Sequence, residues 1–69
     1  MMYAVKMTNL IISSVAEHFI KARDFADACE ILRRAREGMN EGWEEGTDYT
    51  LEVVEVDDDF DFENQPDWN

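Results

Sequence analysis

The sequence predicts a small α+β domain, an antiparallel sheet packed on one main helix. Three runs carry the prediction: an amphipathic stretch from Asp24 to Glu37 with signals at both ends, a β-branched and aromatic stretch from Tyr49 to Val56, and an alternating stretch around Tyr3, Val5 and Met7. The preferred order is β-β-α-β, with β-α-α-β as the alternative. At 69 residues this is one domain. Chains of this size bury a limited core and often lean on a metal, disulfides or a partner.

Taken in chain order, Tyr3, Val5 and Met7 alternate with Ala4, Lys6 and Thr8, the two-residue period of a strand. Residues 9–22 read two ways. Ile12, Val15, Ala16, Phe19 and Ile20 have helical spacing, and Ser14 to Glu17 has the form of a capping box. Alternatively Ser13-Ser14 is a turn and "VAEHFIKA" a second strand that runs straight into the next helix. That helix begins at Asp24, a good N-cap, with Asp27 where the helix dipole favours an acid. Ala28, Cys29, Ile31, Leu32 and Ala35 fall on its apolar side, which predicts a buried Leu32 and a core cysteine. Arg33, Arg34 and Arg36 suit its last turn, and Gly38 stops it.

The stretch "GMNEGWEEGT" holds all three glycines and reads as a loop. In the strand that follows, Tyr49, Leu51 and Val53 share one face. The other face carries Thr50 and Glu52 but also Val54 and Val56, so its C-terminal end wants a cover. Residues 1–56 thus form a single α+β domain. Residues 57–69 are an acidic, aromatic C-terminal segment, expected to be partly ordered at most.

The charge is one-sided. All six basic residues lie in residues 1–37 with five acids, whereas residues 38–69 carry twelve acids and no base. The net charge of −11 therefore sits in the second half. Such a surface repels nucleic acid and membranes and attracts basic clefts. One cysteine allows no internal disulfide and suits a reducing, cytoplasmic setting; no signal peptide or membrane span is expected.

No catalytic constellation emerges, and no enzyme is expected. His18 and Cys29 are each single, and nothing in their spacing brings them within hydrogen-bond reach. One Cys and one His cannot close a zinc site. Asp57, Asp59 and Asp61 match the first alternate ligands of a calcium loop, but Phe62 stands where the turn needs glycine and Trp68 where a bidentate Glu belongs. No metal or cofactor is expected.

In "DDDFDFE" the acids alternate with Phe60 and Phe62. If that segment is extended, Asp57, Asp59, Asp61 and Glu63 face one way and the two rings the other. Acids on one face then recur about every 6.7 Å, close to the step between phosphates. The rings would dock on the sheet near Val54 and Val56. A solvated chain end stays open as the reading of residues 63–69.

In shortness, one-sided acidity and acids spaced among aromatics, the chain resembles the small acidic phage and mobile-element proteins that inhibit host defence by imitating DNA, some anti-CRISPR proteins and restriction inhibitors among them. The resemblance is one of composition and carries no motif. It implies a partner with a basic nucleic-acid-binding surface, such as a CRISPR effector, met in the cytoplasm of the host. The partner-binding candidates are Glu41, Trp43, Glu44, Glu45 and Asp48 in the loop, and Asp57, Asp58, Asp59, Phe60, Asp61, Phe62 and Glu63 in the C-terminal segment. A homo-oligomeric structural or regulatory module, joined through a sheet edge and acidic for solubility only, is the alternative.

Overall fold

The structure, a computed structural model, describes residues 2–11 and 16–65. It has the order β1 (Met2–Asn9), β2 (Ala16–Ala22), α1 (Phe25–Glu37) and β3 (Tyr49–Val56). The β-β-α-β expectation holds. The helical alternative for residues 16–20 falls because every residue from Ala16 to Ala22 pairs with β1, from Asn9↔Ala16 to Tyr3↔Ala22. The Ser13-Ser14 turn lies outside the described residues.

The sheet has three strands in the order β2-β1-β3, so the first strand is central. β3 lies antiparallel to it from Met2↔Val56 to Asn9↔Tyr49. Alternation sends Tyr3, Val5 and Met7 to the helix side, where they meet Ile20, Ala22 and Val53 and the helical residues Ala28, Ile31 and Leu32. Val5 and Ala28 are fully buried there.

The helix begins as its sequence directs. The Asp24 side chain accepts the N–H of Asp27 at 2.8 Å, while the Asp27 carboxylate accepts the N–H of Arg23 at 2.9 Å. The helix stops at Gly38, whose N–H bonds the carbonyl of Arg34 at 2.9 Å. Gly38 has φ −90°, so the stop does not use a left-handed residue. The positive φ values belong to Gly42 (87°) and Gly46 (91°), where a side chain would be strained.

Two burial expectations need correction. Cys29 is exposed, and Leu32 is half-buried where full burial was expected. The sheet under the helix is only three strands wide. One step along a helix turns about 100°, so with Ala28 centred on the sheet Cys29 is carried past its rim.

The opposite face of the sheet is covered too. Ala4 points away from the helix and is still fully buried, which a bare sheet face would not allow. The cover is the segment after β3. Phe60 packs edge-on against Phe19 of β2 with ring centroids 4.9 Å apart, and against Phe62 at 4.7 Å. Residues 57–65 therefore run from β3, at one edge of the sheet, to β2 at the other.

Candidate acidic interaction surface

Five of the six basic side chains form ion pairs among the described residues, and the exposed Lys21 does not. Lys6 pairs with Glu17 at 2.7 Å, Arg23 with Asp27 at 3.3 Å, Arg33 with Glu30 and Glu37 at 2.6 and 2.8 Å, and Arg34 with Glu30 at 3.1 Å. These contacts hold the Glu30 carboxyl below the usual glutamate range, the Arg33 hydrogen bond first among the causes. Asp27 is lowered chiefly by the backbone N–H of Arg23. Such exposed pairs add little stability each. Their larger effect is to neutralise the first half of the chain internally.

Among the described residues, Arg36 alone forms an ion pair with the acidic half, gripping Glu45 through two nitrogens at 2.5 and 3.0 Å. That grip lowers the Glu45 pKa and ties the helix end to the loop. Asp48 has a structural post as well. Its carboxylate accepts the N–H of Glu44 at 2.7 Å, and its carbonyl accepts the N–H of Leu10 at 2.9 Å. Trp43 is half-buried, its ring 6.4 Å from that of Tyr49. Of the loop candidates, Glu41 and Glu44 remain exposed acids, with no ion pair among the described residues.

The C-terminal segment is not the extended row that alternation suggested. The Phe60 N–H bonds the carbonyl of Asp57 at 3.0 Å, closing a turn over residues 57–60. Asp61 then folds the chain back on itself. Its carboxylate accepts the N–H groups of Glu63 and Asn64 at 2.9 and 3.2 Å and the Asn64 side-chain amide at 2.8 Å. These bonds, the Glu63 N–H foremost, hold its carboxyl below the usual aspartate range. Aspartate competes for its own downstream backbone in this way, and here that wins over strand geometry. Asp61 is thus a fastener, not an outward charge of a periodic row.

Gln65 holds the far end down. Its Oε1 accepts the N–H of Phe19 at 2.6 Å, while its Nε2 donates to the carbonyls of Phe19 and Phe62 at 2.9 and 2.8 Å. The segment is therefore a strap, fastened by aromatics at its middle and by a side-chain amide at its end. Sequence reasoning missed Gln65 and Phe19. The legible signal was Phe19 itself, an aromatic between Glu17 and Lys21 on a face that otherwise reads polar.

Between Glu52 and Glu63, no ion pair among the described residues reaches Glu52, Glu55, Asp57, Asp59, Asp61 or Glu63. Glu52 lies opposite Lys6, but that ammonium is already bound to Glu17. Asp57, Asp58, Asp59 and Glu63 are all exposed. Where β3 passes into the strap, Glu55, Val56, Asp57 and Asp58 line a shallow hollow. The result is a band of exposed carboxylates along β3 and the strap, in which Glu55, Asp57, Asp59 and Glu63 have no ion pair among the described residues.

No known family, curated protein or solved structure matches this chain. Among the described residues no three His, Cys, Asp or Glu side chains are grouped to hold a metal, and no helix is long and apolar enough to cross a membrane. His18 Nδ1 is buried without a hydrogen-bond partner among the described residues, and Cys29 lies exposed on the helix.

Proposed function

We propose that this protein is a non-enzymatic inhibitor that occupies the basic nucleic-acid-binding cleft of a host-defence protein, presenting carboxylates in place of DNA phosphates. It is anti-CRISPR-like in this sense and works in the cytoplasm of the host, where the lone Cys29 stays reduced. One observation carries the proposal: the strap fastens its acids to a folded sheet while, among the described residues, five of the six basic residues are paired with acids outside it. A fixed anion loses less entropy on binding than one on a free tail. The Lys and Arg side chains of the cleft, once taken up, no longer bind phosphates. The imitation is by patch, since the strap turns at residues 57–60 and at Asp61.

The test starts by capturing partners from host lysate at low and high salt. Affinity for the captured protein is then measured across salt. Changing Asp57 and Asp59 to Asn and Glu63 to Gln removes three outward charges and should weaken binding roughly 3- to 150-fold at low salt, taking about 0.2–1 kcal/mol per rim pair. The same variant should show a shallower salt dependence. Nucleic acid should compete with the wild type. Changing Phe60 and Phe62 to Ser should weaken binding by loosening the strap, with little change in salt slope. Unchanged affinity and unchanged slope in the charge variant would sink the proposal.

A further inference from the structure

A three-stranded sheet has two edges, and this chain finishes them differently. The β2 edge is closed at Phe19, where the Gln65 amide takes up both outward backbone groups. At the β3 edge, the Tyr49 carbonyl turns outward and accepts the N–H of Gly46 at 2.7 Å. Backbone direction alternates along an edge strand, so the N–H and C=O groups of Leu51, Val53 and Glu55 point outward as well. Among the described residues no hydrogen bond closes them. Thr50, Glu52, Val54 and Val56 face inward and pair with β1.

We infer that the β3 edge from Leu51 to Glu55 is a strand-addition site for an extended, basic segment of a partner protein. Buried or not, a row of alternating donors and acceptors is a ready template for another strand. Charge selects the occupant. A second copy of this chain also has a net charge of −11, and pairing β3 with its own twin would crowd both sets of Glu52, Glu55 and strap acids together. A basic strand meets the opposite situation. Residues opposite Glu52 lie on the strap side of the sheet and those opposite Glu55 on the helix side, so Lys or Arg finds a carboxylate on either face. Beyond Glu55, the hollow lined by Val56, Asp57 and Asp58 receives one more cation at the end of the row. The choice of a basic occupant rests on the acidic surface proposed above; the backbone pairing is new.

The probe is a fluorescein-labelled octapeptide of alternating Lys and Val, compared with the same peptide N-methylated at alternate residues. Methylation keeps the charge and removes backbone donors. The parent should bind, and the amides of Leu51, Val53 and Glu55 should become protected from hydrogen exchange. The methylated peptide should bind about tenfold or more weakly at equal salt, as expected from losing two or three net hydrogen bonds. Val53→Pro should give a similar loss, because it deletes an outward N–H and spares the ladder to β1. Equal binding of both peptides, or protection confined to the strap, overturns the edge site while leaving the acidic-surface proposal standing. Protection of the same amides by self-association, with no peptide bound, overturns the basic occupant. The strap charge variant separates the two ideas from the other side: if it binds the captured partner unchanged yet the parent peptide still protects these amides, only the proposed function fails.

Discussion

Gln65 shows how much one side chain can settle. A carboxamide offers the same acceptor and donor as a peptide group, so it can stand in for a missing neighbouring strand at Phe19. Both hydrogens of its Nε2 are used, one on Phe19 and one on Phe62. Gln65→Ala removes three hydrogen bonds at a partly wetted edge and should cost about 1–3 kcal/mol, a drop in Tm of roughly 4–8 °C per kcal/mol for a domain of this size. Gln65→Glu keeps an acceptor, loses both donors and sets a carboxylate against two carbonyls, so it should cost more than Ala. A thermal melt in which the Glu variant matches the wild type would refute this role. Nothing in the sequence marks Gln65, because a contact spanning 46 residues leaves no local period.

The elements were legible to different depths. The helix could be placed because its cap residues and its apolar spacing agree, and β3 because β-branched and aromatic residues run unbroken from Tyr49 to Val56. The width of the apolar stripe could not be placed, since it depends on how many strands lie beneath; hence Cys29 and Leu32. In the strap, alternation with acids predicts that Phe60 and Phe62 dock near Val54 and Val56, whereas Phe60 packs on Phe19 of β2 and Phe62 on Phe60. Its turns do not follow from the alternation, because they depend on which carboxylate bonds its own backbone. Those turns have a pH signature. The folded pKa of Asp61 is lowered from an ordinary value near 3.8, so its stabilising share is fully present above that value and is lost as pH falls through the depressed one. The ring resonances of Phe60 and Phe62 should hold steady from neutral pH down to about pH 4 and move below it. Asp61→Asn should abolish that acid limb. An identical limb in the variant would assign it to other carboxylates.

For the whole molecule, charge and chain position coincide. The half with the bases folds into β1, β2 and α1 and pairs most of its ions within itself, Arg36 reaching across to Glu45; the half without them supplies β3 and the strap. A net charge of −11 opposes compaction, and the opposition is concentrated where β3 and the strap close over the sheet.

The strand order β2-β1-β3 also implies a sequence of events in time. Asn9 meets Ala16 after a short reversal, but meets Tyr49 only after the helix and the loop have been laid down. Loop closure favours the near pairing, so the β1–β2 hairpin with α1 should form the folding nucleus and the acidic strand should arrive late. Substitutions that weaken the hairpin should then slow folding, whereas Gln65→Ala and Val54→Ala should chiefly hasten unfolding. Added salt, by screening the incoming strand, should likewise act mostly on the unfolding limb of a stopped-flow chevron. If Gln65→Ala slows folding as much as it destabilises, the strap closes early and the proposed order is reversed.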